Sequence, residues 1–269
     1  MYAAHELVSD EELEALRPLC EAPPASEHVL HMPETHPFSV KPGYNYLRAD
    51  PGSRQLLTRL RYVCERAFWN FILVLIVFID RVFLGLRIEG QENLKELGGR
   101  GFVSVCNHVH MMDCTMAALA LAHKRIFFVT LESNFRIPVI RHLVRALGGV
   151  PLPASPACMR EMAAAMRTAV AEGFAVHLYP EGVLQPYADT LRPFRKGAFT
   201  LAASIGAPVL PMAICYRRPR GLYALWKKKP CLTLRILPPV YPDPAQAPAA
   251  AARDLRLRAF YSMFRAMEE

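Results

Sequence analysis

At 269 residues and 52% hydrophobic content, with a mean hydropathy of +0.14, the chain is too polar for a multi-span membrane protein and apolar for a soluble one. A formal net charge of +8 favours an acidic partner (nucleic acid, anionic lipid headgroups or a phosphorylated substrate), and the apolar excess tilts that choice toward lipid. The seven cysteines are odd in number and contain no Cys-x-x-Cys pair, which argues against a disulfide framework or zinc knuckle and fits a reducing compartment.

The acidic opening MYAAHELVSDEELEALR has no apolar core, so no signal peptide is expected. Residues 1–55 read as an extension, in which Ser9-Asp10-Glu11-Glu12 caps a short helix through Leu16 and the stretch from Pro23 to Pro51 shows little periodicity. Residues 56–86 place Arg59, Arg61 and Arg66 before an apolar run from Ala67 to Ile79, which Asp80 and Arg81 interrupt. That run is shorter than the ~20 residues of a bilayer-spanning helix. It predicts an apolar helix without a polar face, lying in the membrane interface with its arginines at the headgroups. A span in which Asp80 and Arg81 pair or snorkel, and a buried core helix, are the alternatives.

From residue 87 to 242 the pattern alternates between strand and helix. Strands are expected at Leu86–Gly90, Phe102–Cys106, Arg125–Thr130, Val150–Leu152, Ala175–Tyr179, Pro208–Cys215 and Leu232–Leu237. Helices are expected at Asp113–His123, Phe135–Leu147, Pro156–Glu172 and Gly197–Ile205, with a C-terminal helix at Pro248–Met267 within residues 243–269. Apolar strands alternating with helices predict an α/β fold: a mostly parallel central sheet with helices on both faces, preceded by the membrane-associating helix. In such sheets chemistry gathers at the carboxyl ends of the strands.

The most informative stretch is Asn107-His108-Val109-His110-Met111-Met112-Asp113, between a strand and a helix. A carboxylate five residues after His108 can turn back and hold one imidazole nitrogen, leaving the other as a general base. The strand ending at Tyr179 delivers Tyr179-Pro180-Glu181-Gly182. Arg195 and Lys196 begin a helix, where free backbone N–H groups add to an anion site. His108-Val109-His110 with Asp113 also admits a metal-dependent hydrolase, although its spacing differs from the familiar zinc pattern. The clusters Arg217-Arg218-Pro219-Arg220 and Lys227-Lys228-Lys229 flank Leu222-Tyr223-Ala224-Leu225-Trp226. No recognition-helix or RNP-type pattern supports nucleic acid there, and a solvated loop and contact with an anionic bilayer both fit.

Four blocks in order (Asn107-His108 with Asp113, Tyr179-Pro180-Glu181-Gly182, Phe194-Arg195-Lys196-Gly197-Ala198-Phe199, and Ala207-Pro208-Val209-Leu210-Pro211) resemble the glycerolipid acyltransferase family, whose best-known members are 1-acylglycerol-3-phosphate acyltransferases. The resemblance covers roughly Leu86 to Val240. It implies transfer of a fatty acyl group from a thioester, acyl-CoA or acyl carrier protein, to a hydroxyl-bearing lipid acceptor at a membrane. The thioester is a co-substrate, and neither a resident cofactor nor a metal is implied. Carried over, His108 is the base and Asp113 orients it, while Asn107, Glu181 and Gly182, with Arg195 and Lys196, serve the acceptor. No Gly-x-Ser-x-Gly elbow occurs, consistent with direct transfer. The expected location is a membrane surface on its cytoplasmic face. Two family arginines are missing: Val183-Leu184-Gln185 follows Gly182 where many members have Thr-Arg-Ser, and the stretch from Leu147 to Ala154 has none. Arg192, Arg195 or Lys196 could take their place, or the acceptor could lack a phosphate. A non-catalytic lipid- or nucleic-acid-binding module on the same fold is the alternative from a different class.

Overall fold

The computed structural model describes residues 10–21, 71, 74–122, 124–137, 144, 148–152 and 156–268. Seven strands, β1 (Arg87–Glu89), β2 (Phe102–Cys106), β3 (Ile126–Leu131), β4 (Gly149–Leu152), β5 (Ala175–Leu178), β6 (Val209–Arg217) and β7 (Cys231–Ile236), form one sheet. Their order is β1-β7-β6-β2-β5-β3-β4. Every neighbouring pair is parallel except β6 and β7, which run antiparallel as a hairpin.

The apolar strands need cover on both faces, and helices supply it. The helices are α1 (Asp10–Glu21), α2 (Leu94–Leu97), α3 (Asp113–Ala120), α4 (Pro156–Ala171), α5 (Gly197–Ser204), α6 (Leu222–Trp226) and α7 (Pro248–Glu268). Successive strand residues point to opposite faces. Thus Val103 and Val105 of β2 pack with Met166 of α4, Phe199 of α5 and Phe260 of α7. Phe102 and Cys106 pack on the other face with Met116 and Ala120 of α3. All five residues of β2 are buried, so its end at Cys106 projects the following turn from the middle of the sheet.

The expected helix over 135–147 lies mostly outside the described residues, and Phe135 itself closes a short 3-10 turn (Glu132–Phe135). The apolar segment is helical over residues 74–78 and continues into a π turn, Ile79–Phe83. Among the described residues no helix is long and apolar enough to cross a membrane. Burial among the segment's described residues is one-sided. Ile76 and Asp80, one turn apart, are buried, whereas Val74, Leu75, Val77, Phe78, Val82 and Phe83 are exposed. Asp80 is an anchor rather than a snorkelling charge. Its Oδ2 accepts a 2.8 Å bond from Thr115 Oγ1 of α3, and burial pushes its carboxyl up to about 6.

Candidate active site

The turn after β2 is organised by one buried carboxylate. Asp113, the first residue of α3, accepts three bonds at Oδ2: from Val109 N–H at 2.8 Å, from His110 N–H at 2.9 Å and from His108 Nδ1 at 2.9 Å. Two backbone donors fix the carboxylate before the imidazole meets it. The bond to Nδ1 places that ring proton and leaves Nε2 as the lone-pair nitrogen. Among the described residues Nε2 has no partner, and the His108 side chain is 25% exposed. The Tyr179 ring stacks on the imidazole with centroids 4.0 Å apart and planes 16° apart. The pair is thus held from the side by a carboxylate and from one face by an aromatic ring.

Beneath this stack lies His177 of β5, fully buried. Its Nδ1 is 2.9 Å from Ser104 Oγ of β2, and its ring meets Tyr179 edge-on at 4.7 Å. Burial, with the nearby His108, lowers its pKa to about 3, so it is a neutral spacer.

Glu181 braces the same turn from the β5 side. Its Oε2 accepts from His108 N–H at 3.3 Å and from the Arg192 guanidinium at 3.2 Å, and its Oε1 accepts from Arg192 N–H at 3.4 Å. Burial raises its pKa, and these donors oppose the rise. The arginine also reaches the Val183 carbonyl. Gln185 N–H to His108 O and Tyr187 N–H to Val109 O, both 2.9 Å, lace the loop onto the turn. Gly182 is required between them. Its φ is +80°, and a Cβ there would stand 2.4 Å from Arg195 Nε. Arg195 therefore lies directly against the Pro-Glu-Gly turn, and Lys196 follows as the exposed N-cap of α5.

Asn107 corrects an expectation. Rather than facing an acceptor, it is fully buried, and its amide joins two strands. Nδ2 donates to Ile214 O at 3.0 Å, and Oδ1 accepts from Ile214 N–H at 2.7 Å. It is a staple between the end of β2 and β6. His110 stands apart from His108: its Nδ1 accepts from Met112 N–H at 3.1 Å, and its ring meets Tyr187 edge-on at 5.7 Å. Among the described residues no group of three or more His, Cys, Asp and Glu side chains is arranged to hold a metal ion. His177 escaped the sequence reading, as did the pairing of Arg192 with Glu181 and the stacking of Tyr179 on His108. Only Tyr179 carried a signal, as the aromatic residue before Pro-Glu-Gly at the end of a strand.

A family model described as Acyltransferase matches residues 85–215. The chain is 34% identical over 153 residues to 1-acyl-sn-glycerol-3-phosphate acyltransferase BAT2, chloroplastic, of Brassica napus, covering 56% of this chain and 43% of that protein. It is 33% identical over 135 residues to human 1-acyl-sn-glycerol-3-phosphate acyltransferase beta, covering 49% and 48%. Both matches span less than half the length of the curated relative. The crystal structure of the 1-acyl-sn-glycerophosphate (LPA) acyltransferase PlsC from Thermotoga maritima matches with a TM-score of 0.53 and 25% identity, covering 74% of this chain and 79% of that one.

Proposed function

We propose that the chain, which matches the Acyltransferase family model through residues 85–215 and resembles 1-acyl-sn-glycerol-3-phosphate acyltransferases, is an O-acyltransferase. It moves a fatty acyl group from a thioester to the free hydroxyl of a 1-acylglycerol-3-phosphate-type acceptor. The observation that carries this reading is the His108 imidazole, bonded to Asp113 at 2.9 Å through Nδ1 with Nε2 unpartnered among the described residues. Nε2 takes the hydroxyl proton as the acceptor oxygen attacks the thioester carbonyl. The tetrahedral intermediate collapses, the C–S bond breaks, and the departing thiolate receives the proton from His108. Asp113 holds the tautomer and stabilises the transient imidazolium. A thioester is already activated, so the chain itself need not be acylated. The donor is acyl-CoA or an acyl carrier protein, and the work is done at the cytoplasmic face of a membrane.

Arg195, with Lys196 beside it, receives the acceptor's phosphate. Both follow the Pro-Glu-Gly turn, in a chain lacking the two family arginines named above. A metal-dependent hydrolase at His108, His110 and Asp113 is less well supported, because His110 Nδ1 and Asp113 Oδ2 already accept N–H bonds.

A product screen tests the reading. Labelled acyl-CoA and acyl carrier thioesters are offered with lysophosphatidic acid, lysophosphatidylcholine and monoacylglycerol. Phosphatidic acid is the expected product, and Arg195→Ala should raise the acceptor KM about ten-fold, since a charged hydrogen bond is worth about 1.5–3 kcal/mol. Transfer to the neutral alcohol alone would overturn the phosphate assignment, and transfer to no hydroxyl would overturn the whole.

A further inference from the structure

Two segments far apart in the sequence build one exposed apolar face. The first is the π turn with Phe78 and Phe83. The second is the β6–β7 hairpin, whose α6 exposes Leu222 (79%), Leu225 (82%) and Trp226 (52%). The rings of Phe78 and Phe83 meet edge-on at 6.2 Å, and those of Phe83 and Trp226 at 6.1 Å. Polar bonds lock the two together: Tyr223 OH donates to Arg81 O at 2.9 Å, and Lys227 Nζ donates to Phe83 O at 2.8 Å.

Beside this face is a cavity of about 490 Å³ lined by five arginines, Arg81, Arg87, Arg217, Arg218 and Arg220, together with Tyr223. Among the described residues no carboxylate is in its lining. The nearby Glu89 is paired with Arg235 at 3.4 Å. Arg217 is held in place by Gly85 O at 2.6 Å and by the Thr233 hydroxyl. So many cations around one hollow favour an anionic occupant. Large apolar side chains this exposed, contiguous and rimmed by arginine and lysine match an interfacial surface better than a site for a small soluble anion.

The topology puts this surface on the catalytic edge of the sheet. β6 runs parallel to β2 and ends at Arg217, while β1 and β7 begin there. With strands ~4.8 Å apart, the three steps from β1 to β2 amount to roughly 15 Å. The hairpin also reaches the site's rim, where Lys229 Nζ lies 4.7 Å from the Tyr187 ring centre and that ring packs on His110.

We propose that the β6–β7 hairpin and the arginine-lined cavity form a docking surface for an anionic phospholipid bilayer. Leu222, Leu225, Trp226, Phe78 and Phe83 enter the interfacial layer, and the cavity takes a lipid headgroup phosphate. Contact there sets the acceptor's own layer beside His108. The inference rests on the acyl-transfer reading for its purpose, but its test reads binding alone.

The test uses the full chain with vesicles of phosphatidylcholine, without and with phosphatidylglycerol. Trp69→Phe leaves Trp226 the sole tryptophan, and its emission should shift to the blue on anionic vesicles. Leu222→Asp with Leu225→Asp should lower partitioning ten-fold or more. Arg218→Ala with Arg220→Ala should lower it on the order of ten-fold on anionic vesicles and little on neutral ones. Transfer to a water-soluble short-chain acceptor should persist in both variants, which also reports that they fold. Unchanged partitioning, or a static Trp226 emission on vesicles that bind the protein, would overturn the proposal. So would displacement from vesicles by millimolar CoA or inorganic phosphate at constant ionic strength, or RNA binding that depends on the same arginines and exceeds vesicle binding. If Trp226 shifts while no acyl transfer occurs to any acceptor, the catalytic reading falls and the docking surface stands.

Discussion

Replacing Asp80 with asparagine should remove a pH dependence of stability that the fold builds in. Asp80 is fully buried, Thr115 Oγ1 is bonded to one of its oxygens, and the other has no partner among the described residues. Burial raises the carboxyl from 3.8 to about 6, which corresponds to about 3 kcal/mol. The folded state holds this proton more tightly than the unfolded chain does. Its stabilising contribution is therefore complete below about pH 4 and is lost as pH rises through about 6. Asp80→Asn keeps an oxygen for Thr115 and cannot ionise. Urea unfolding of both proteins from about pH 4 to about pH 7 gives a difference curve in which the shared titrations of Glu181 and His177 cancel. Wild type relative to variant should lose about 3 kcal/mol across that range. A flat difference, or one of opposite slope, would refute the claim that Asp80 is a buried anchor.

Two further outcomes follow from the geometry around the dyad. Asn107→Ala leaves the buried Ile214 N–H and C=O unpaired, at about 1–3 kcal/mol each, so denaturant unfolding should show a loss of about 2–6 kcal/mol. Tyr179→Phe removes a buried hydroxyl with no partner among the described residues and keeps the ring on His108. It should turn over like wild type, whereas Tyr179→Ala frees the imidazole and should lower kcat about ten-fold or more.

Much of the sheet was legible because strands buried on both faces must be apolar runs, and Phe102–Cys106 is one. The closeness of His108 and Asp113 was legible because both partners lie within one strand-to-helix turn. What escaped depends on distant residues. The amide of Asn107 finds Ile214 across the sheet, and Glu181 finds Arg192 beyond a loop. Neither pairing leaves a local pattern. The antiparallel course of β7 was equally hidden, since its residues read as any buried strand. The apolar segment looked featureless because, among its described residues, only Ile76 and Asp80 mark the inward face, and the charged residue reads as an interruption until Thr115 is seen opposite it.

Single-turnover acyl transfer by His108→Ala tests the central claim most directly. The reaction uses an acyl thioester and lysophosphatidic acid, with circular dichroism to establish that the variant is folded. Loss of the base should slow transfer by about 10²–10⁴-fold or more, and Asp113→Asn should follow it by disturbing the Nδ1 proton held at 2.9 Å. A folded His108→Ala protein that transfers acyl groups at near the wild-type rate would contradict the account.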